Sequence, residues 1–453
     1  MFNSFFPESF KKLTAIDLWN QASESIVGGC GLLSKRPTRY LSRKWPSYAV
    51  KSKGIFISSW DRRNYLDFTE FSIGCCLLGY NPKSHKSILK YHQFISPLTS
   101  LLTPFEPLLA KTLNEFFSQE RVWKFCRGGG EVLAVTARLA RTVASNSRIL
   151  VCGYHGTHDW YLSANLNTSN SLSQVFLSGI SPTGLPAEYK NTTYCLPNFD
   201  AESLSDQIQS INPGVIVFES CRYELLSQEI RKILQEFQSN GGILVSDEVT
   251  SGFRFPEKLA CFACGLDPDF IVLGKSLGNG YAISAVGAFR SYKNELENCF
   301  LSSTQWTESI GLHAAVCTLN EFKKWDSFYN QLSCNAEGVR DAILQSFENT
   351  GLEISINSVI TMISFKIQPA YGFTSEELRT LLLDFMLDSD IMMSTTIYPS
   401  VSHTKRYISK FRKALSVSVQ RLDEMIANFP HIARERLILI GPTENGFKRT
   451  QSL

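Results

Sequence analysis

Two ionisable residues stand at the ends of two apolar runs. Ile243-Leu-Val245 leads through Ser246 to Asp247, and Phe270-Ile-Val-Leu273 leads through Gly274 to Lys275. Short continuous apolar runs of this kind are strands of a parallel sheet covered on both faces. Ligands of such sheets lie outside the carboxyl ends of the strands. The spacing therefore brings a carboxylate and an amine to one ligand site. A carboxylate that keeps a pyridine nitrogen protonated and a lysine that forms an imine are the minimum protein equipment for pyridoxal phosphate chemistry.

The elements around these residues are legible too. Val215-Ile-Val-Phe218 is a further buried run, ending at Glu219. Ile230, Ile233, Leu234 and Phe237 recur at helical spacing, and Asn240-Gly241-Gly242 closes that helix before the Asp247 strand. The unit is βαβ, hence parallel with a right-handed crossover. Upstream, Arg127-Gly-Gly-Gly-Glu131 precedes a helix marked by Val132, Val135, Leu139 and Val143. Glycines at a helix start let backbone amides approach an anion, and the helix dipole favours it there. Alone, the same segment reads as a glycine-rich turn.

The order Asp-Glu-Val-x-x-Gly-Phe-Arg (247–254), then Pro-Asp-Phe-Ile-Val-Leu-Gly-Lys-x-Leu-Gly-Asn-Gly-Tyr (268–281), resembles the class III pyridoxal-phosphate aminotransferases, in the branch of the glutamate-1-semialdehyde aminomutases. The resemblance runs from about residue 45 to about residue 425. It implies an α/β fold of type I: a large domain with a mostly parallel seven-stranded sheet, and a small α/β domain built from both chain ends. It also implies a homodimer with sites at the interface. The expected division is 1–70 and 321–430 for the small domain, 71–320 for the large one, and 431–453 as a tail.

By the same resemblance Lys275 carries the cofactor and Asp247 faces its ring nitrogen. Gly129 and Gly130 match the phosphate-cradling pair, although the family's hydroxyl is missing here. Tyr154, in Gly153-Tyr-His-Gly-x-His-Asp-Trp160, corresponds to an aromatic that stacks on the ring, and Val249 presses on the opposite face. Thr304 matches a threonine that reaches a neighbouring subunit's phosphate, with Thr307 as the second choice. Glu219 either lines the site or has a structural place at its strand end. Arg36 stands near the position of the aminomutases' carboxylate-binding arginine, a role that suits its bidentate fork. It equally belongs to a basic surface with Lys35, Arg43 and Lys44. His155, His158 and Asp159 invite a metal reading, but no further ligand cluster follows and the resemblance implies a metal-free enzyme.

Composition narrows the rest. The chain has 453 residues, 43% hydrophobic and 19% charged, with a net charge of +3. That suits a large-cored globular enzyme and gives no reason to expect nucleic acid or a membrane surface. Twelve scattered cysteines in so long a chain read as reduced thiols of a cytoplasmic protein. Cys261-Phe-Ala-Cys264 has no second pair to make a metal or redox site. Residues 163–198 are rich in Ser, Asn, Thr and Pro; the resemblance implies that this segment lies over the site as a mobile loop, and its length and composition suit mobility. Strands are expected at 54–57 and 64–68, and a final helix capped by Thr404 and running to about Asn428. The expected activity is an aminotransferase exchanging an amino group between a small-molecule donor and an oxo acceptor, sugar-linked ones included. The alternatives are an aminomutase, a racemase or decarboxylase on the same fold, and a catalytically idle binding protein.

Overall fold

The computed structural model describes residues 5–168, 171–175, 180–221, 224–357, 359, 362–441 and 443. The chain forms two compact units. One takes residues 73–77 and 83–330, and the other takes the residues up to 72, residues 78–82 and those from 331 onward.

The first unit is built on a seven-stranded sheet. Its strands lie in the order Arg121–Cys126, Ser284–Phe289, Phe270–Leu273, Ile243–Asp247, Val215–Phe218, Ile149–Cys152 and Thr193–Cys195. Ser284–Phe289 runs against both of its neighbours, and the other pairs are parallel. Every residue of the four strands from Phe270–Leu273 to Ile149–Cys152 is buried. These are the uninterrupted apolar runs that a sheet covered on both faces requires. The helix Gly129–Val143 packs Val132, Val135 and Leu139 into the core with Val217, Val245 and Val272. The helix Gln228–Ser239 starts where the Ser227 hydroxyl accepts from Ile230 N, buries Ile230 and Leu234, and stops before Gly241 at φ 86°.

The second unit joins both ends of the chain. Ala49–Lys53, Phe56–Ser59 and Asn64–Phe68 form an antiparallel meander, and Ile391–Met393 pairs with Asn64–Phe68 in parallel. A separate sheet comprises Ile354–Ile356, Ile363–Ile367 and Thr396–Ile397. The helices Ser375–Asp388, Lys405–Asn428 and Pro430–Ile440 belong to the same unit.

Several local expectations are corrected. Ala49–Lys53 is a strand missed in the sequence, because Gly54, at φ 60°, belongs to the turn after it rather than to a strand. The turn at Asp61-Arg62 holds Arg62 at φ 64°, a conformation that glycine adopts more cheaply. Residues 163–198 are not one loop. They carry the edge strand Thr193–Cys195 and short helical turns, with the Asn165 side-chain oxygen accepting from Leu172 N at 3.0 Å. Gly179, within this segment, lies outside the described residues. Thr404 takes the N-cap position, yet its hydroxyl accepts no capping bond. Pro430–Ile440 is a helix where the expected tail begins, started by proline at its first position.

Candidate active site

Strand register brings the two chemical residues together. Asp247 pairs with Val272, and Glu248 N donates to Val272 O at 2.9 Å. Lys275 stands three residues beyond that pairing, at the same end of the sheet. It is held at φ 42°, in the left-handed region that a non-glycine residue enters only at a cost.

Asp247 is 4% exposed. Its Oδ1 accepts from Val249 N at 3.0 Å, and its Oδ2 lies 2.8 Å from Nδ1 of the fully buried His155. His155 Nε2 has no hydrogen-bond partner among the described residues. The carboxylate is thereby oriented from two sides before any ligand arrives. Lys275 Nζ donates to Thr250 Oγ1 at 2.7 Å. Burial lowers the pKa of this amine. The Cys75 thiol and the Asp247 and Glu219 carboxyls oppose that shift, and Arg254 adds to it. A half-buried amine whose charge is disfavoured, at the same sheet end as a carboxylate, is suited to attack a carbonyl and to carry a proton.

The loops fit a flat ring with an anionic arm. A Cβ on Gly129 would lie 3.0 Å from Val249 Cγ1, and one on Gly274 would lie 3.3 Å from the same atom. Val249 thus sits between the helix that starts at Gly129 and the turn that presents Lys275. A Cβ on Gly130 would stand 3.0 Å from His158 Nδ1, and one on Gly156 would stand 2.9 Å from Gly130 Cα. Gly156, also at φ 97°, requires glycine because its neighbour is backbone, whereas at Gly129, Gly130 and Gly274 a neighbouring side chain would have to give by a few tenths of an ångström. The first bond after the glycines runs from Val132 N to Gly128 O, so the Gly129 and Gly130 amides precede the intrahelical ladder. Glu131 takes the Arg127 and Gly128 amides with its own carboxylate, at 2.7 and 3.3 Å. With those two amides taken, the ones that could face an anion at this helix start are those of Gly129 and Gly130.

Tyr154 packs against the core at the end of the Ile149–Cys152 strand, edge-on to Tyr161. Glu219 Oε2 accepts from Tyr154 N at 3.0 Å, over Gly153, where a Cβ would come within 2.5 Å of it. Ser220 is buried, with Oγ 3.0 Å from Ser246 Oγ. Thr304 is exposed at the start of the turn Thr304–Thr307. Arg127 holds that turn through the carbonyls of Gln305, Trp306 and Glu308, and Trp306 Nε1 donates to Glu131 Oε1 at 2.9 Å. Arg36 belongs to the other unit, where a Cβ on Gly28 would fall 2.2 Å from its Nη2. Among the described residues no group of three or more His, Cys, Asp and Glu side chains could hold a metal ion. His155 is instead committed to Asp247, and His158 flanks Gly130.

Four residues at the site were missed in the sequence: His155 as the partner of Asp247, Thr250 as the partner of Lys275, and Arg254 and Cys75 as its charged surroundings. Arg254 is buried, and its Nη2 donates to Gly74 O at 2.8 Å, where Ser276 Oγ donates at 2.9 Å. Phe71, Ser72, Ile73 and Gly74 all have positive φ, between 47° and 76°. Nothing in the composition of that segment announces four such residues in a row.

A parallel sheet with a lysine and a carboxylate at one end defines a fold-type-I enzyme of pyridoxal phosphate. The aminotransferase class-III family profile matches residues 41–364, and the chain belongs to that family. Its chemistry is amino-group transfer with pyridoxal 5′-phosphate. The chain is 25% identical over 401 residues to the 2'-deamino-2'-hydroxyneamine transaminase of Streptomyces kanamyceticus, covering 88% of this chain and 97% of the relative. It is 25% identical over 407 residues to the glutamate-1-semialdehyde 2,1-aminomutase of Caldicellulosiruptor bescii, with 86% and 90% covered. The PLP internal aldimine form of the FumI protein of Sphingopyxis sp. MTA144 superposes with a TM-score of 0.79 at 20% identity, over 91% of this chain and 97% of the other.

Proposed function

We propose that this enzyme is an aminotransferase that takes the amino group of a small donor and passes it to an oxo acceptor, sugar-linked acceptors included. The observation that carries this reading is the half-buried Lys275 amine at the same sheet end as the doubly oriented Asp247. When bound, pyridoxal phosphate supplies a carbonyl carbon for the amine and a ring that spreads negative charge. Lys275 would hold the cofactor through that carbon, and its free amine would be the base that moves the proton. Asp247 would hold the ring nitrogen and keep its proton, a paired charge whose burial is tolerable. The Gly129 and Gly130 amides would receive the phosphate at a helix start, where the dipole favours an anion. Tyr154 and Val249 would bound the ring, and Glu219 sets the Tyr154 backbone. Arg36 is the proposed anchor for a substrate carboxylate.

We assign the active form as a homodimer in which Thr304 serves a neighbouring subunit's site. Phe94, Leu101, Leu102 and Phe300 are 89%, 81%, 75% and 82% exposed on this unit, an apolar display that a partner subunit would cover. The abundance of cysteine supports a reducing, cytoplasmic setting.

The aminomutase reading shares Lys275, Asp247 and the glycines, because both reactions begin with the same proton shift. The transaminase reading is preferred because the segment from 163 to 198 departs from the aminomutase pattern and Arg36 is a less definite carboxylate anchor. The test is to mix the enzyme with single amine donors and no acceptor. Pyridoxamine phosphate and a free oxo product are expected in equal amounts. If no donor gives that half-reaction but glutamate-1-semialdehyde becomes 5-aminolevulinate, the enzyme is an aminomutase.

A further inference from the structure

We propose that Thr250 is a positioning residue for the reaction: its hydroxyl is the station to which the Lys275 amine returns whenever that amine carries no bond to cofactor, and it aims the amine's lone pair. The inference rests on the role of Lys275 proposed above. Within Asp-Glu-Val-x-x-Gly, Thr250 occupies a position that the motif leaves open.

Three observations carry it. Lys275 Nζ donates to Thr250 Oγ1 at 2.7 Å, a short bond between two half-buried side chains. The loop that bears Thr250 is immobilised from beneath. Glu248, 1% exposed, accepts from Ser246 Oγ at 3.0 Å, Ser251 Oγ at 2.6 Å, Ala260 N at 3.0 Å and Cys261 N at 2.8 Å. Gly252 N closes the turn on Glu248 O at 2.9 Å. Four donors on one buried carboxylate make a rigid base for the residues that follow it. The third observation is the side chain itself. Threonine is stiff at χ1, so its hydroxyl has a defined direction.

A free lysine amine has four rotatable bonds and no direction of its own. A base must meet its proton within hydrogen-bond reach and with its lone pair aligned. When one N–H is given to a fixed oxygen, the remaining freedom of Nζ is a rotation about that bond. The hydroxyl can accept from the ammonium and from the neutral amine alike, so the station serves the lysine before and after it takes a proton. A carboxylate in that place would bind the ammonium too strongly to release a base.

The experiment compares wild type, T250V and T250S. In cofactor-free protein, acetic anhydride labelling of the Lys275 peptide across pH, read by mass spectrometry, gives the titration midpoint of the amine. A hydroxyl acceptor stabilises the ammonium more than the amine, so T250V is expected to lower that midpoint by about half a unit to one unit. T250S is expected to keep it. In the loaded enzyme, the single-turnover half-reaction is expected to slow by about 10- to 100-fold in T250V and to recover in T250S. Should T250V fold poorly by thermal melting, T250A serves as the second hydroxyl-free variant. Unchanged labelling and unchanged half-reaction in the hydroxyl-free protein would overturn the proposal, as would a serine variant that behaves like valine. Borohydride fixation separates the two claims. Cofactor fixed on Lys275 in every variant upholds the lysine whatever Thr250 does, and cofactor fixed on another lysine removes both.

Discussion

At the residue scale, the site is a set of single side chains whose directions are decided by neighbours. Asp247 is the clearest case. Its Oδ1 is oriented by Val249 N and its Oδ2 by His155. Asp247→Asn keeps the size but removes the charge opposite a ring nitrogen. We expect cofactor still to bind and proton transfer to slow on the order of 10²–10³-fold, the scale of losing one preorganised electrostatic partner. Single-turnover spectroscopy of the half-reaction checks this, and near-normal turnover in the variant would remove the assigned role. Gly129 and Gly274 matter for the opposite reason, since each leaves room for Val249 from its own side.

At the element scale, the turn before the helix Lys405–Asn428 has its own electrostatic signature. His403 is fully buried and accepts from Ser400 N at 3.0 Å through Nδ1, while Nε2 faces Asp67 O at 3.0 Å. Both contacts suit the neutral ring, and burial pushes its pKa down to about 4. As pH falls below the ordinary histidine value the unfolded chain takes a proton that the folded chain refuses, so stability is lost, up to about 3 kcal/mol by the time pH 4 is reached. Glu70, in the same unit, has the opposite sign. Burial raises its pKa to about 7 against the pull of the Tyr40 hydroxyl, Arg39 and Arg379. Between the ordinary glutamate value and pH 7 the folded chain keeps a proton that the unfolded chain releases, so acidification stabilises. The two effects offset in wild type. E70Q leaves the histidine uncompensated, and its denaturation midpoint should fall more steeply than that of wild type between pH 7 and pH 5. Parallel slopes in the two proteins would contradict the burial of Glu70.

At the scale of the whole molecule, the exposed Thr304 and the exposed apolar side chains Phe94, Leu101, Leu102 and Phe300 are what the proposed homodimer would use. Arg127 fixes the Thr304–Thr307 turn through three carbonyls, so the hydroxyl is presented on a rigid support. In the proposed dimer, with Glu131 holding the Arg127 and Gly128 amides, a donor from a second subunit would carry more of the phosphate's binding. Thr304→Ala should weaken cofactor retention by about 10- to 100-fold, the worth of one hydrogen bond to a charged group, without changing the sedimentation of the dimer. Equilibrium dialysis against pyridoxal phosphate measures it. A fully active monomer in sedimentation would end the shared-site proposal.

The sequence by itself determined the mostly parallel sheet, the helix that starts within the three glycines and the placing of Asp247 and Lys275 at one end of the sheet. Each of these is written in continuous apolar runs and local breakers, and burial on both faces of a sheet leaves few alternatives to such a pattern. Tertiary structure decided what touches what. His155 meets Asp247 across 92 residues of chain, and Lys275 meets Thr250 across 25. Glu131 withdraws two amides from the anion cradle, and residues 163–198 supply a sheet edge instead of one open loop. None of these has a periodicity to read. A hydrogen bond between distant residues depends on strand register and on which loop lands beside which, and those are settled only when the sheet is assembled.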